Sequence, residues 1–337
     1  MTENSRLPVI ALTMGDPAGI GPEIVLKALA DKTLFDSCIP VIFGDAKVMK
    51  KARRVVGFLG DFNIIKKVSE AEAGKVNLLV LSSINMDDFE FGKASTDLGL
   101  VSTFYILKAA EAAMTDEVDA IVTAPINKAM LREAGYDYSS QSDMLRSVAQ
   151  VDNTAVMLVG EKMRITRVTS HMPLRKVAEV LTVDKVFEAI RSTVAMLKDA
   201  FRIQNPHIAV CGLNPHAGEI GLFGTEEEEI ILPAIFKART EGIRVTDPLA
   251  AHRVFPRVKD GEFDATICMY HDQGHIAFQL INETVGVNVT LGLPIIRTSP
   301  DHGCAYSLAG KGYASEKGFV HAVKQALVLI ENCRATD

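Results

Sequence analysis

Three histidines carry the first chemical signal in this chain. His171 closes Thr169-Ser170-His171, His216 closes Gly212-Leu213-Asn214-Pro215-His216, and His271 follows Met269-Tyr270. Each comes just after a short apolar run that reads as a strand, and ligands of open α/β sheets collect at the carboxyl ends of strands. Three neutral imidazoles converging there form a usual site for zinc or another divalent metal with an open position. Three unrelated, hydrogen-bonded histidines are the plainer alternative. Asp272, adjacent to His271, is placed to orient the ring or accept a proton.

Other segments could hold anions or nucleotides. Met14-Gly15-Asp16-Pro17-Ala18-Gly19-Ile20-Gly21-Pro22-Glu23 is a strand-to-helix turn, suited to bringing backbone close to a ligand or to a neighbouring element. It lacks the GxGxxG spacing of the Rossmann fingerprint. Arg297, after an apolar run from Val287, could grip a carboxylate or phosphate by paired hydrogen bonds. Asp301-His302-Gly303-Cys304-Ala305 follows it, a turn rich in small residues. Lys128, in Ala124-Pro125-Ile126-Asn127-Lys128, faces either a cleft or solvent. The run Glu226–Glu229 reads as the acidic first turn of a helix capped by Thr225.

The elements that must position these residues alternate along the chain. Strands are expected at 9–14, 41–44, 76–81, 120–123, 155–159, 165–169, 208–212, 265–270 and 287–291. Apolar residues at helical spacing mark 100–114, 183–201 and 314–331. Such alternation predicts a largely parallel sheet with helices on both faces. Gly160-Glu161-Lys162 breaks it with a hairpin, the expected mark of a second subdomain.

Composition narrows the class. With 337 residues and a formal charge of −6, the chain has no basic face for nucleic acid and length for two medium domains. No apolar stretch is long enough to span a membrane, so no membrane partner is expected. The five cysteines form no CxxC pair, and the first residues show no secretory pattern; the expected location is the cytoplasm.

The blocks GDPAGIGPE, TSHMPLRKVA, CGLNPHAGE, MYHDQG and VNVTLGLPIIRTSPDHG, in this order, resemble the 4-hydroxythreonine-4-phosphate dehydrogenase family over roughly residues 7 to 332. The resemblance implies an α/β fold like isocitrate and isopropylmalate dehydrogenases, with two subdomains and a cleft between them. Residues 1–135 plus 295–337 are expected to form the first subdomain and 136–294 the second. It also implies a homodimer with shared active sites. His171, His216 and His271 match metal-binding histidines contributed by both subunits, and Asp272 matches the aspartate supporting them. Gln141, Ser142, Gln279, Asn288 and Arg297 fall in the substrate pocket, and Asp301, His302 and Gly303 in the loop for NAD or NADP. Zinc is the first expectation for the metal, with magnesium, manganese or cobalt as alternatives.

Three departures stand out. The family's Gly-His-Thr-Glu is Ser140-Gln141-Ser142-Asp143 here, a lysine eight residues after the third histidine is Gln279, and an aspartate is His252, followed by Arg253. The implied activity is metal-dependent, NAD(P)-linked oxidation of a 3-hydroxy acid with decarboxylation, as for 4-phosphohydroxy-L-threonine. Two potential cations are lost, at Gln141 and Gln279. A paralogue acting on 4-phospho-threonate, 4-phospho-erythronate or an aromatic cis-dihydrodiol carboxylate is therefore the alternative. A phosphotransacetylase-like acyltransferase is the alternative of another class.

Overall fold

The computed structural model describes residues 6–335 except 134, 137, 139 and 283–285, and divides into two α/β units. The first unit comprises Met1–Asp152 and Leu293–Glu331. Its strands are β1 (Val9–Thr13), β2 (Ile39–Asp45), β3 (Phe62–Ile65), β4 (Val76–Ser82) and β5 (Ala120–Thr123), joined by Arg297–Pro300, numbered β12 because the second unit supplies the six between. They lie in the order β3-β4-β2-β1-β5-β12, every neighbouring pair parallel. Central strands of such a sheet are covered on both faces and so read as continuous apolar runs. Ile10, Ala11 and Leu12 of β1 are accordingly inaccessible to solvent.

Helix Thr96–Met114 starts where the Ser95 hydroxyl accepts from the Leu98 amide, one turn before the first expected apolar residue. Helix Gln141–Ala149 is capped by Ser140, whose Oγ accepts from Asp143 N at 3.1 Å, and it packs on Thr96–Met114. That packing draws this helix into the first unit, beyond the boundary expected at residue 135.

The second unit comprises Asn153–Gly292 and Asn332–Asp337. Its strands are β6 (Ala155–Val159), β7 (Arg164–Arg167), β8 (Ile208–Cys211), β9 (Val245–Leu249), β10 (Ala265–Cys268) and β11 (Val287–Leu291), in the order β11-β6-β7-β10-β8-β9. The expected hairpin is present: β6 and β7 are antiparallel, with Met157 opposite Thr166 and Gly160 N donating to Met163 O. A side chain at Gly160 would collide with the side chains of Asn282 and Phe278, so the turn favours glycine. β11 is also antiparallel to β6, and the remaining pairs are parallel.

Three strands were not expected. β3 is a four-residue edge strand of the first unit, too short to stand out, β9 contains Asp247 and Pro248 at an edge of the second unit, and β12 is Arg-Thr-Ser-Pro, polar yet buried throughout. The acidic run also departs from expectation. Glu227–Ile231 form a π-type turn leading into helix Leu232–Thr240, and Thr225 contributes its carbonyl to Glu229 N rather than a side-chain cap. Among the described residues no helix is long and apolar enough to cross a membrane.

Candidate active site

In the first unit, Arg297 at the start of β12 is 4% exposed, and burial brings its guanidinium down to about 10, still charged at neutral pH. Its Nη2 donates to Gln141 Oε1 at 2.6 Å and to Thr123 Oγ1 at 2.6 Å, while Nε donates to the same hydroxyl at 3.1 Å. Gln141 Nε2 in turn donates to Ala124 O at 3.2 Å. Strand end, capped helix and β12 thus fix one planar cation, the geometry suited to a carboxylate or phosphate. Ser142, beside Gln141, is buried, whereas Lys128 is exposed.

The glycine-rich turn proves to approach a neighbouring element. A side chain at Gly19 would lie 3.0 Å from Cys304 Cβ, and Ile20 N donates to Cys304 O. Asp16, fully buried, accepts from Ala18 N at 2.9 Å and from the Tyr306 hydroxyl at 2.6 Å, and Asn127 Nδ2 donates to that hydroxyl at 2.8 Å. Burial raises the Asp16 carboxyl above its ordinary value and, with Asp16 beside it, raises the Tyr306 phenol far above its own. One turn along helix Gly21–Ala28, buried Glu23 accepts from Gly310 N and Gly312 N, and Lys27 Nζ donates to Gly312 O and Ala314 O, both at 2.6 Å. Asp301, His302 and Gly303 begin the loop held in this way; His302 and Gly303 are exposed.

In the second unit, Val168 N and Thr169 N extend the β7–β10 pairing by donating to Cys268 O and Met269 O. This brings His171 and His271 together, their ring centroids 5.6 Å apart. His271 Nδ1 lies 2.7 Å from Asp272 Oδ1. A carboxylate in this place accepts from Nδ1, and in the neutral ring that leaves the Nε2 lone pair for a metal, the arrangement typical of a metal ligand. His275, one turn on, stacks on His271 at 4.7 Å. Gln273 ties two strand ends together: its Oε1 accepts from Met269 N and its Nε2 donates to Gly212 O.

His216 lies apart from that pair, with its ring 5.7 Å from His252 and 6.0 Å from Phe223. Among the described residues of one chain, no group of three His, Cys, Asp or Glu stands close enough to hold a metal ion. His216 belongs to a run, 216–221, in which every φ is positive. Four of these residues (His216, Ala217, Glu219 and Ile220) are not glycine. Left-handed backbone costs about 1–2 kcal/mol at each such residue, so this turn stores strain. Gln279 is exposed on helix His271–Ile281, and Asn288 is half-buried on β11.

Arg297 and Gln141 are therefore in direct contact, as are His271 and Asp272, and His171 stands beside His271. Lys27, Thr123, Tyr306 and Gln273 were not expected, and Asp16, Glu23 and Asn127 were noted only as members of their segments, without these side-chain roles. Glu23 and Lys27 offered a signal: two charged residues four apart on a short, otherwise apolar helix.

Strand-end histidines with a carboxylate-oriented ring, and a buried arginine fixed between strands, define a two-unit α/β enzyme. The family model described as pyridoxal phosphate biosynthetic protein PdxA matches residues 36–326. A 4-hydroxythreonine-4-phosphate dehydrogenase from Desulfosudis oleivorans is 41% identical over 326 residues, 95% of each chain. A relative from Oceanobacillus iheyensis, provisionally named a D-threonate 4-phosphate dehydrogenase, is 38% identical over 330 residues, 96% of this chain and 98% of its own. The crystal structure of a 4-hydroxythreonine-4-phosphate dehydrogenase from Burkholderia phymatum superposes with a TM-score of 0.82 at 41% identity, covering 96% of this chain and 99% of that one. The chain belongs to the PdxA family. It is a dehydrogenase, an oxidoreductase acting on a CH–OH group.

Proposed function

We propose that the enzyme oxidises the hydroxyl of a phosphorylated 3-hydroxy acid and releases its carboxyl group as carbon dioxide, with 4-phosphohydroxy-L-threonine as first substrate. The observation that carries this reading is the His171–His271 pair with Asp272 on Nδ1. Its donor chemistry fits a divalent ion, zinc by preference, with magnesium, manganese or cobalt as alternatives. When bound, the ion supplies Lewis acidity to a substrate oxygen, and NAD or NADP supplies the hydride acceptor. Asp272 holds the His271 ring and its tautomer. Arg297, locked by Thr123 and Gln141, grips an anionic group of the substrate, and Ser142 and Asn288 offer neutral hydrogen bonds. Asp301, His302 and Gly303 receive the dinucleotide on a loop that Asp16, Glu23 and Lys27 hold still.

The third metal ligand is His216 of a second copy of the chain, which makes the active form a homodimer with shared sites. Large exposed apolar side chains support this, because they flank each histidine: Leu174 near His171, Ile220 (95% exposed), Leu222 and Phe223 near His216, and Ile276 and Leu280 (82% exposed) on the His271 helix. Burying such side chains on association is favourable. Five free cysteines suit a reducing compartment, and we assign the enzyme to the cytoplasm.

A second reading, 4-phospho-D-threonate as substrate, is favoured by Gln141 and Gln279, neutral where the family resemblance implies His and Lys. Assays with NAD or NADP and a divalent metal on both phosphorylated acids, with carbon dioxide measured, separate the two. Cofactor reduction with release of carbon dioxide is expected. Efficient turnover of unphosphorylated acids alone would overturn the phosphate assignment, and full activity after chelation would overturn the metal.

A further inference from the structure

We propose that Glu227, acting through Asn214, is the positioning residue that holds the left-handed turn 216–221 and so aims His216. The metal role of His216 rests on the reading above; the clamp itself rests on geometry. Glu227 is 3% exposed although it stands in a run of four acids. Its Oε1 accepts from Asn214 N at 2.7 Å and its Oε2 from Asn214 Nδ2 at 2.9 Å. Asn214 Nδ2 also donates to Glu226 Oε2 at 2.6 Å. Asn214 precedes Pro215 and His216 directly, so the two oxygens of Glu227, one on the Asn214 amide and one on its Nδ2, fix the start of the turn.

The carboxylate also fills the space beneath the turn. A side chain at Gly212 would meet Ala217 Cα at 2.8 Å and Glu227 Oε1 at 2.9 Å, and one at Gly218 would meet Glu227 Oε2 at 2.8 Å. The end of β8, the turn and Glu227 are therefore packed backbone against carboxylate. Left-handed backbone at His216, Ala217, Glu219 and Ile220 persists only where its surroundings over-determine it, and strain of this kind gathers at functional sites. A carboxyl group accepting from two donors on one residue constrains the start of this turn at two points. The π-type turn at Glu227–Ile231 places it there: the wider turn sets Glu227 inward while Glu228 and Glu229 stay exposed.

The full-length protein tests this in two measurements. The first is Zn²⁺ and Co²⁺ affinity by competition with a chromophoric chelator; the second is hydrogen exchange of amides 214–224 without metal. Glu227→Gln, which keeps the shape but loses an acceptor, should weaken metal binding about ten- to a hundredfold, the range for groups that orient a ligand. It should also speed exchange across 216–221. Glu227→Ala should do both more strongly, and if it fails to fold Glu227→Gln decides alone. Glu228→Gln, on the exposed neighbour, should change neither. Metal affinity and exchange both unchanged in Glu227→Gln would overturn the proposal. His216→Ala separates the two readings: if it binds metal like the wild type, the metal role of His216 is lost, and exchange in Glu227→Gln still decides whether the clamp holds the turn.

Discussion

The loop 301–314 and the turn 216–221 both follow strand ends, both carry site residues and both lie on a buried glutamate, yet their left-handed backbone falls on different kinds of residue. In the loop, positive φ falls on Gly310 and Gly312, which adopt it without steric cost, with Ala305 the one other residue, and buried Glu23 and half-buried Lys27 of one helix fasten amides and carbonyls. In the turn, positive φ falls on His216, Ala217, Glu219 and Ile220, and the apolar side chains beside it point to solvent. The loop is held by partners within its own unit. The strain of the turn and its exposed apolar side chains support the dimer proposed above.

The sharpest way to break this comparison is subunit mixing. His171→Ala, His216→Ala and His271→Ala should each remove nearly all turnover and bound metal. Because His171 and His271 stand together in one chain, mixing those two variants should restore nothing. Mixing His216→Ala with His271→Ala should restore activity: random exchange makes half the dimers mixed, each with one intact site, about a quarter of wild-type activity. Recovery in the first mixture, or none in the second after verified exchange, would show that the ligands are shared differently.

A smaller effect is expected at the clasp. Glu23→Ala leaves the Gly310 and Gly312 amides without acceptors, at about 2–4 kcal/mol. A lower Tm should accompany a raised KM for the dinucleotide with kcat little changed. Loss of Tm with KM intact would mean the clasp serves the fold and not the cofactor loop.

Why some of this was legible and some was not follows from where the signal sits. β1, β5 and β6 announce themselves because both faces of a parallel or mixed sheet demand apolar residues; β12 does not, because its buried residues include Arg297 and Thr298, satisfied by distant partners. The nearness of His171 and His271 was legible from strand-end position and the His271–Asp272 contact from adjacency, whereas His216 stands apart within one chain. Thr123 and Gln141 as partners of Arg297 were not, since contacts 156 and 174 residues apart leave no local pattern. Glu227 was hidden for another reason: four consecutive acids look solvated, and only the π-type turn buries one of them.

On the substrate side, Gln279→Lys adds a full charge and up to three donors on helix His271–Ile281. If the neutral residue marks a changed anion site, catalytic efficiency with 4-phosphohydroxy-L-threonine should rise about ten- to a hundredfold, the scale of a charge-assisted hydrogen bond. An efficient wild type that lysine does not improve would assign the phosphate to Arg297.

The smallest effect is a pH dependence in the first unit, and its sign discriminates. Burial raises the Asp16 carboxyl above its ordinary value of about 4, outweighing the Tyr306 hydroxyl and the Ala18 amide that lower it. A folded state with the higher pKa binds the proton more tightly than the unfolded chain. The stabilisation from that proton is fully present below about pH 4 and is lost as pH rises through the raised value. Asp16→Asn cannot take up this proton, so the Tm of the wild type minus that of the variant should be highest at acid pH and fall toward neutrality. A difference that instead rises toward neutrality would mean that the Tyr306 hydrogen bond outweighs burial and that Asp16 is an ionised anchor for the loop.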